Sequence, residues 1–157
     1  MNWGYLVALM PALLALILVS AGIEDARLRT IANWKNALIA VLAMPWWWAN
    51  GMTLWPDIAM QIGVATVIFG FFVGAFALGQ MGGGDVKLIG ALALWFPVQP
   101  MIWLLIMMSL IGGALTLLMM LDRWRRRDKA PLEIPYGVAI AIAGLLAVHE
   151  PVFNQFT

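Results

Sequence analysis

The sequence predicts an all-α, polytopic membrane protein with about six transmembrane helices. Three observations carry that prediction. The chain is 64% hydrophobic and 11% charged, with a mean hydropathy of +0.92, whereas a soluble domain carries about a quarter charged residues. Its apolar residues gather in uncharged runs, several of them long enough for a bilayer. All nine Lys and Arg fall in alternate connections between those runs. The net charge of +1 says little beside that distribution. The absence of cysteine rules out disulfides and a thiolate metal site. His149 cannot build a metal site alone, so no metal and no cofactor are expected. At 157 residues the chain is read as one integral-membrane domain over 1–157.

The first run, residues 6–23, has no charge and is long enough to cross a bilayer. Pro11 is tolerated there as a kink, and Trp3 and Tyr5 suit an interfacial belt. No basic region precedes it, so it reads as a span rather than a removable signal peptide. Glu24-Asp25-Ala26-Arg27-Leu28-Arg29 forms a charged landing. A second helix is expected from Ile31 to Trp46-Trp47-Trp48, with Lys35 snorkelling to water and the three tryptophans at the far interface. Asn50-Gly51 and Trp55-Pro56-Asp57 read as a loop.

Ile58–Leu78 is the clearest span, with Gln61 as its one strongly polar side chain. Val86–Phe96 is short. At 1.5 Å per residue it covers about 17 Å, against roughly 30 Å of hydrocarbon. Its start is therefore expected to lie near or below the interface, reachable from water. Pro97 and Pro100 bracket a turn. Met101–Leu121 is the fifth span, with Gly112 and Gly113 expected to allow close helix packing. Residues 122–129 are charged, Pro131–Gly137 reads as a loop, and Val138–Val148 is a last short span.

Six crossings put both termini on one side. Arg27, Arg29 and Lys35 follow span one, and Lys87 follows span three. Arg123, Arg125, Arg126, Arg127 and Lys129 follow span five. The positive-inside rule makes the side of those basic connections the cytoplasm and leaves both termini outside. The run from Arg123 to Lys129 reads as a topology anchor on anionic headgroups.

The acids then sort by position. Asp57, Glu150 and Glu133 read as surface, and Asp122 and Asp128 as partners of nearby arginines. Glu24, Asp25 and Asp85 remain. Asp85 follows Gly82, Gly83 and Gly84, which carry no side chains and allow close approach. A helix N-cap is an equally good reading of Asp85 on spacing alone, and the two roles are compatible. Glu24 reads as an interfacial acid pairing with Arg27 or Arg29. Neighbouring helix residues point about 100° apart, so only one of Glu24 and Asp25 can face Asp85.

Two apposed aspartates are suited to peptide hydrolysis. Held close, they cannot easily both ionise, so one keeps a proton. The ionised one takes a proton from water, and the protonated one polarises the scissile carbonyl. No metal, thiol or serine is needed. Lys87, two residues on, either tunes the pair or snorkels.

These residues resemble a family. Gly82-Gly83-Gly84-Asp85-Val86-Lys87-Leu88 resembles the GxGD motif of the type IV prepilin peptidases, which are intramembrane aspartic proteases. Asp25 followed by Arg27, Arg29, Ile31 and Asn33 resembles their first aspartate segment. Ile134-Pro135-Tyr136-Gly137-Val138-Ala139 resembles their late proline-tyrosine-glycine motif. The resemblance implies a GxGD-type protease architecture with Asp25 and Asp85 as the catalytic pair. It implies supporting roles for Gly82, Gly83, Gly84, Lys87, Pro135, Tyr136 and Gly137. It also implies removal of the basic leader of a prepilin or pseudopilin, after a glycine, at the cytoplasmic face of a bacterial inner membrane. Ala32 stands where the family often has proline, a change in loop stiffness. Longer members carry a cytoplasmic zinc-binding cysteine domain and methylate the new N-terminus. This chain resembles the short form of tight-adherence (Flp-type) pilus systems, for which no methylation is implied.

Two other classes fit parts of the pattern. Intramembrane acids also suit a small transporter, but here they cluster at one face and leave no polar path across. A non-catalytic pilus-assembly subunit would not need both aspartates. The expected partners are a prepilin or pseudopilin and the lipid bilayer, with no nucleic acid.

Overall fold

A computed structural model describes residues 4–126 and 134–149. Six α-helices account for most of them: α1 (Gly4–Leu28), α2 (Asn33–Ala49), α3 (Ala59–Ala77), α4 (Gly83–Leu92), α5 (Val98–Arg126) and α6 (Tyr136–His149). No strand occurs among the described residues. A π-type turn, Leu54–Ile58, leads into α3. The protein is an all-helical polytopic membrane protein, as its composition predicts. Among the described residues three stretches are long and apolar enough to cross a membrane: Leu9–Leu28, Leu54–Ala77 and Val98–Arg126. α6 is a shorter apolar helix. Trp3, Arg127, Asp128, Lys129, Glu133 and Glu150 lie outside the described residues.

The short fourth helix is the hub. It packs against α2, α3 and α6, while α1 packs on α2 and α6, and α5 on α6. Val86, Leu88, Ile89, Ala91 and Leu92 are all buried. A helix apolar all round belongs inside a bundle, and Lys87 is the one exposed side chain after the glycines. At 10 residues α4 spans about 15 Å, so it cannot cross a bilayer by itself.

Its far end is closed by side chains. The Gln61 amide donates to the carbonyls of Ala93 (2.8 Å) and Phe96 (2.7 Å). The Trp47 indole donates to Leu94 O at 2.8 Å. The last carbonyls of a helix have no partner within it, and in an apolar setting each needs one. Trp95 donates to Ile39 O at 2.7 Å and stacks on Trp46 at 5.6 Å. This corrects the expectation for the Trp triplet. Trp46 and Trp47 are core residues, and Trp48 alone is exposed.

Several boundaries also differ from expectation. α1 does not stop at Ile23 but continues through Glu24, Asp25 and Arg27 to Leu28. It ends at Arg29, whose φ of 56° is the left-handed conformation that closes helices. α2 starts at Asn33 rather than Ile31. α4 starts three residues early, because Gly83 and Gly84 are helical and Gly82 is the extended residue before them. α5 runs past Leu121 through Arg126, with Asp122 paired to Arg126 at 3.0 Å. Gly112 does allow close packing, since the Tyr136 ring lies against it, but Gly113 faces open space.

The outer faces of α3 and α5 are apolar and exposed, with Val67, Phe71, Leu117 and Leu118 among the most open. Only Gln61 and Ala65 of α3 are buried. These faces meet lipid.

Candidate active site

The last turn of α1, the first turn of α4, the start of α6 and the connections beside them surround a cavity of about 770 Å³. Asp25 and Asp85 both line it. They are 4% and 8% exposed, and they lie close enough for each carboxylate to feel the other's charge. Two carboxylates buried together in a membrane protein are costly, which makes this cavity the candidate site.

Each aspartate is held by backbone. Asp25 Oδ2 accepts the N–H of Val138 at 3.1 Å, and Gly137 N–H also donates to its carboxylate. Those N–H groups lie in the first turn of α6, where the usual helical acceptors are lacking, and the Val138 N–H is shared between two acceptors. Pro135 O accepts from Val138 N at 3.1 Å, which starts the helix. Gly137 must be small. A Cβ there would lie 2.8 Å from Asp25 Cγ and 2.7 Å from Ile31 Cδ1.

Asp85 occupies the third position of α4, and Gly82 is the cap residue. The N-cap reading of Asp85 is therefore corrected by three positions. Its carboxylate reaches back to the Gly82 N–H, the reciprocal half of a capping box. A Cβ on Gly82 would lie 3.0 Å from Asp85 Oδ2. Gly83 packs against the Phe76 ring, and Gly84 against Ile31. Each glycine of the run thus has a distinct close neighbour.

The other expected site residues divide. Tyr136 lines the cavity and rests on Gly112, while Pro135 is buried beside it. Lys87 does not line the cavity. It turns outward and donates to Asn33 Oδ1 at 2.8 Å. Glu24 points away from the aspartates, as the helix geometry requires, but its partner is neither Arg27 nor Arg29. Glu24 Oε2 takes Lys35 Nζ at 2.9 Å and the Ala32 N–H at 3.1 Å. Lys35 does not snorkel to water. It is 6% exposed and also donates to Ser20 O and Oγ.

Asn36 escaped the sequence reading, and Ile31 entered it only as part of the first aspartate segment, with no contact expected of it. Ile31 wedges between Gly84 and Gly137, and Asn36 Nδ2 donates to Gly84 O at 3.2 Å. An isolated Ile or Asn among apolar residues carries no local signal of such a contact. Arg29, Thr30, Gln80, Met81 and Ile134 complete much of the cavity wall. Among the described residues no cluster of three or more His, Cys, Asp or Glu could hold a metal ion.

A helical membrane bundle that brings two buried aspartates from separate helices into one cavity defines a membrane protein with a carboxylate-pair site. The chain belongs to the type IV leader peptidase family, a family of proteases, whose match covers residues 12–117. Both aspartates fall inside that range, and the Pro135-Tyr136-Gly137 segment lies beyond it. No curated protein and no solved structure matches the chain.

Proposed function

We propose that this protein is an aspartic endopeptidase that removes the basic leader of a prepilin or pseudopilin, cutting after a glycine at the cytoplasmic face. The observation that carries this reading is the shared burial of Asp25 and Asp85 in one cavity, in a chain of the leader peptidase family.

In the working enzyme one carboxylate is ionised and the other protonated. The ionised one takes a proton from water, whose oxygen adds to the scissile carbonyl carbon. The protonated one gives its proton to the carbonyl oxygen. The resulting diol collapses as the amine nitrogen gains a proton and the C–N bond breaks. The Val138 N–H from α6 holds Asp25 Oδ2, and the carboxylate faces the cavity where water enters. Gly82, Gly83 and Gly84 keep the approach to Asp85 free of side chains, so an extended leader can come close.

The orientation follows from the basic residues. Arg27 and Arg29 end α1, Lys87 opens α4, and Arg123, Arg125 and Arg126 end α5. On the positive-inside rule these ends are cytoplasmic and both termini lie outside. The bacterial inner membrane is the matching location.

The test is co-expression with candidate prepilins, read by the size of the product. Conversion to the shorter form by the parent chain, and none by Asp25→Asn or Asp85→Asn, is the expected result. Full conversion by either variant would overturn the mechanism and favour a scaffold or transporter.

A further inference from the structure

We propose that Lys35 and Asn36 are positioning residues that set the separation of the two aspartates, a claim that rests on reading Asp25 and Asp85 as the catalytic pair. They are consecutive residues near the start of α2, and both are buried, at 6% and 5% exposure. Neighbours on a helix point about 100° apart, so they reach different helices. Lys35 takes hold of α1 and Asn36 of α4, the two helices that carry the aspartates.

The grip on α1 is complete. An ammonium has three N–H donors. Lys35 Nζ meets three acceptors: Ser20 O at 3.0 Å, Ser20 Oγ at 2.7 Å and Glu24 Oε2 at 2.9 Å. Glu24 is the residue before Asp25, and its carboxylate also receives the Ala32 N–H at 3.1 Å. The ion pair therefore fastens the last turns of α1 to the start of α2. The grip on α4 is a single bond, from Asn36 Nδ2 to Gly84 O at 3.2 Å, at the residue before Asp85. One rigid helical turn thus holds the residue before each aspartate, Glu24 through its side chain and Gly84 through its backbone carbonyl. Between the two grips, Ile31 fills the space against Gly84 and Gly137.

A buried ion pair is weak evidence for stability, because desolvation offsets much of its attraction. Fixing a geometry is its better-attested use, and misplacing a catalytic group by about 1 Å costs on the order of a hundredfold. Neither side chain lines the cavity, so neither acts on substrate directly.

The test uses the full chain in membranes. Lys35→Met alone would strand Glu24, so it is combined with Glu24→Gln, and Asn36→Leu is the second variant. The expected result is a fall in kcat of about tenfold or more, with KM within about twofold because the cavity lining is untouched. Geometry is read separately. The chain has no cysteine, so Leu28→Cys with Met81→Cys places two thiols on the cavity wall, near Asp25 and Asp85 in sequence. Bifunctional thiol reagents of graded length then report the gap. In both variants the best-reacting reagent should become longer, or the preference should broaden. An unchanged reagent profile overturns the proposal even if kcat falls, and an unchanged kcat overturns it even if the profile shifts. If Asp25→Asn still processes prepilin, the peptidase reading fails while the reagent profiles still decide whether α2 sets the gap.

Discussion

The backbone N–H of Val138 reaches Asp25 Oδ2 at 3.1 Å across a sequence separation of 113 residues. A late glycine-containing segment thereby finishes a site begun in the first helix. Gly137 is the contact that makes it possible. Gly137→Ala puts a Cβ 2.8 Å from the Asp25 carboxyl carbon, and the carboxylate must move. Prepilin processing should fall about a hundredfold. Gly113→Ala, where a Cβ meets nothing within 4 Å, should leave processing unchanged. Rates from matched protein amounts check both.

The aspartates themselves should not be replaceable. Asp25→Asn and Asp85→Asn should each lower the rate by about a thousandfold or more, several kcal/mol of barrier, with protein abundance unchanged. Asp-to-Glu at either position should also fail, since one methylene displaces the acid beyond catalytic tolerance. Glu24→Gln should keep most activity, because an amide can still accept from Lys35 and Ala32. Product-size assays on membranes decide all five substitutions.

Much of this site was legible before any coordinates. Asp25 and Asp85 stand out because charge is scarce in apolar sequence and glycine is unusual before an acid. α1, α3 and α5 are legible because bilayer-length apolar runs leave few alternatives. The contacts of Lys35 were not legible. A lone cation at the edge of an apolar run reads as snorkelling, and its acceptors, Ser20 and Glu24, lie 15 and 11 positions upstream on another helix. Trp46 and Trp47 misled for a related reason. Tryptophan suits both an interface and a core, and only the packing around α4 chooses: the Trp47 N–H finds Leu94 O and Trp46 stacks on Trp95. The early start of α4 was hidden because three glycines read as loop, while the bond from Gly82 N–H to the Asp85 carboxylate makes them a helix start.

Gln61 offers a stability test remote from the chemistry. Gln61→Leu leaves the carbonyls of Ala93 and Phe96 without the amide donor they share. A buried carbonyl that loses its donor costs about 1–3 kcal/mol. Thermal unfolding in detergent should show a clear drop in Tm, whereas Thr66→Val should show almost none, because Thr66 is exposed and bonds only within its own helix.

Topology is open to direct measurement. Reporter fusions should place the α1–α2, α3–α4 and α5–α6 connections in the cytoplasm and both termini outside. A fusion at Arg126 that reports from the outer side would reverse the proposed orientation and, with it, the face at which a leader could be cut.

The ten residues of α4 leave no slack for insertion or deletion. Its first turn is committed to a carboxylate and the segment after its last turn to two side-chain donors, Gln61 and Trp47, so both ends are pinned to different neighbours. Removing one residue would rotate one end by about 100° and draw it in by about 1.5 Å. Either Asp85 would leave the cavity or the carbonyls beyond Leu92 would lose Gln61 and Trp47. Loops elsewhere in the chain can lengthen or shorten over time, but this helix can change only by substitution.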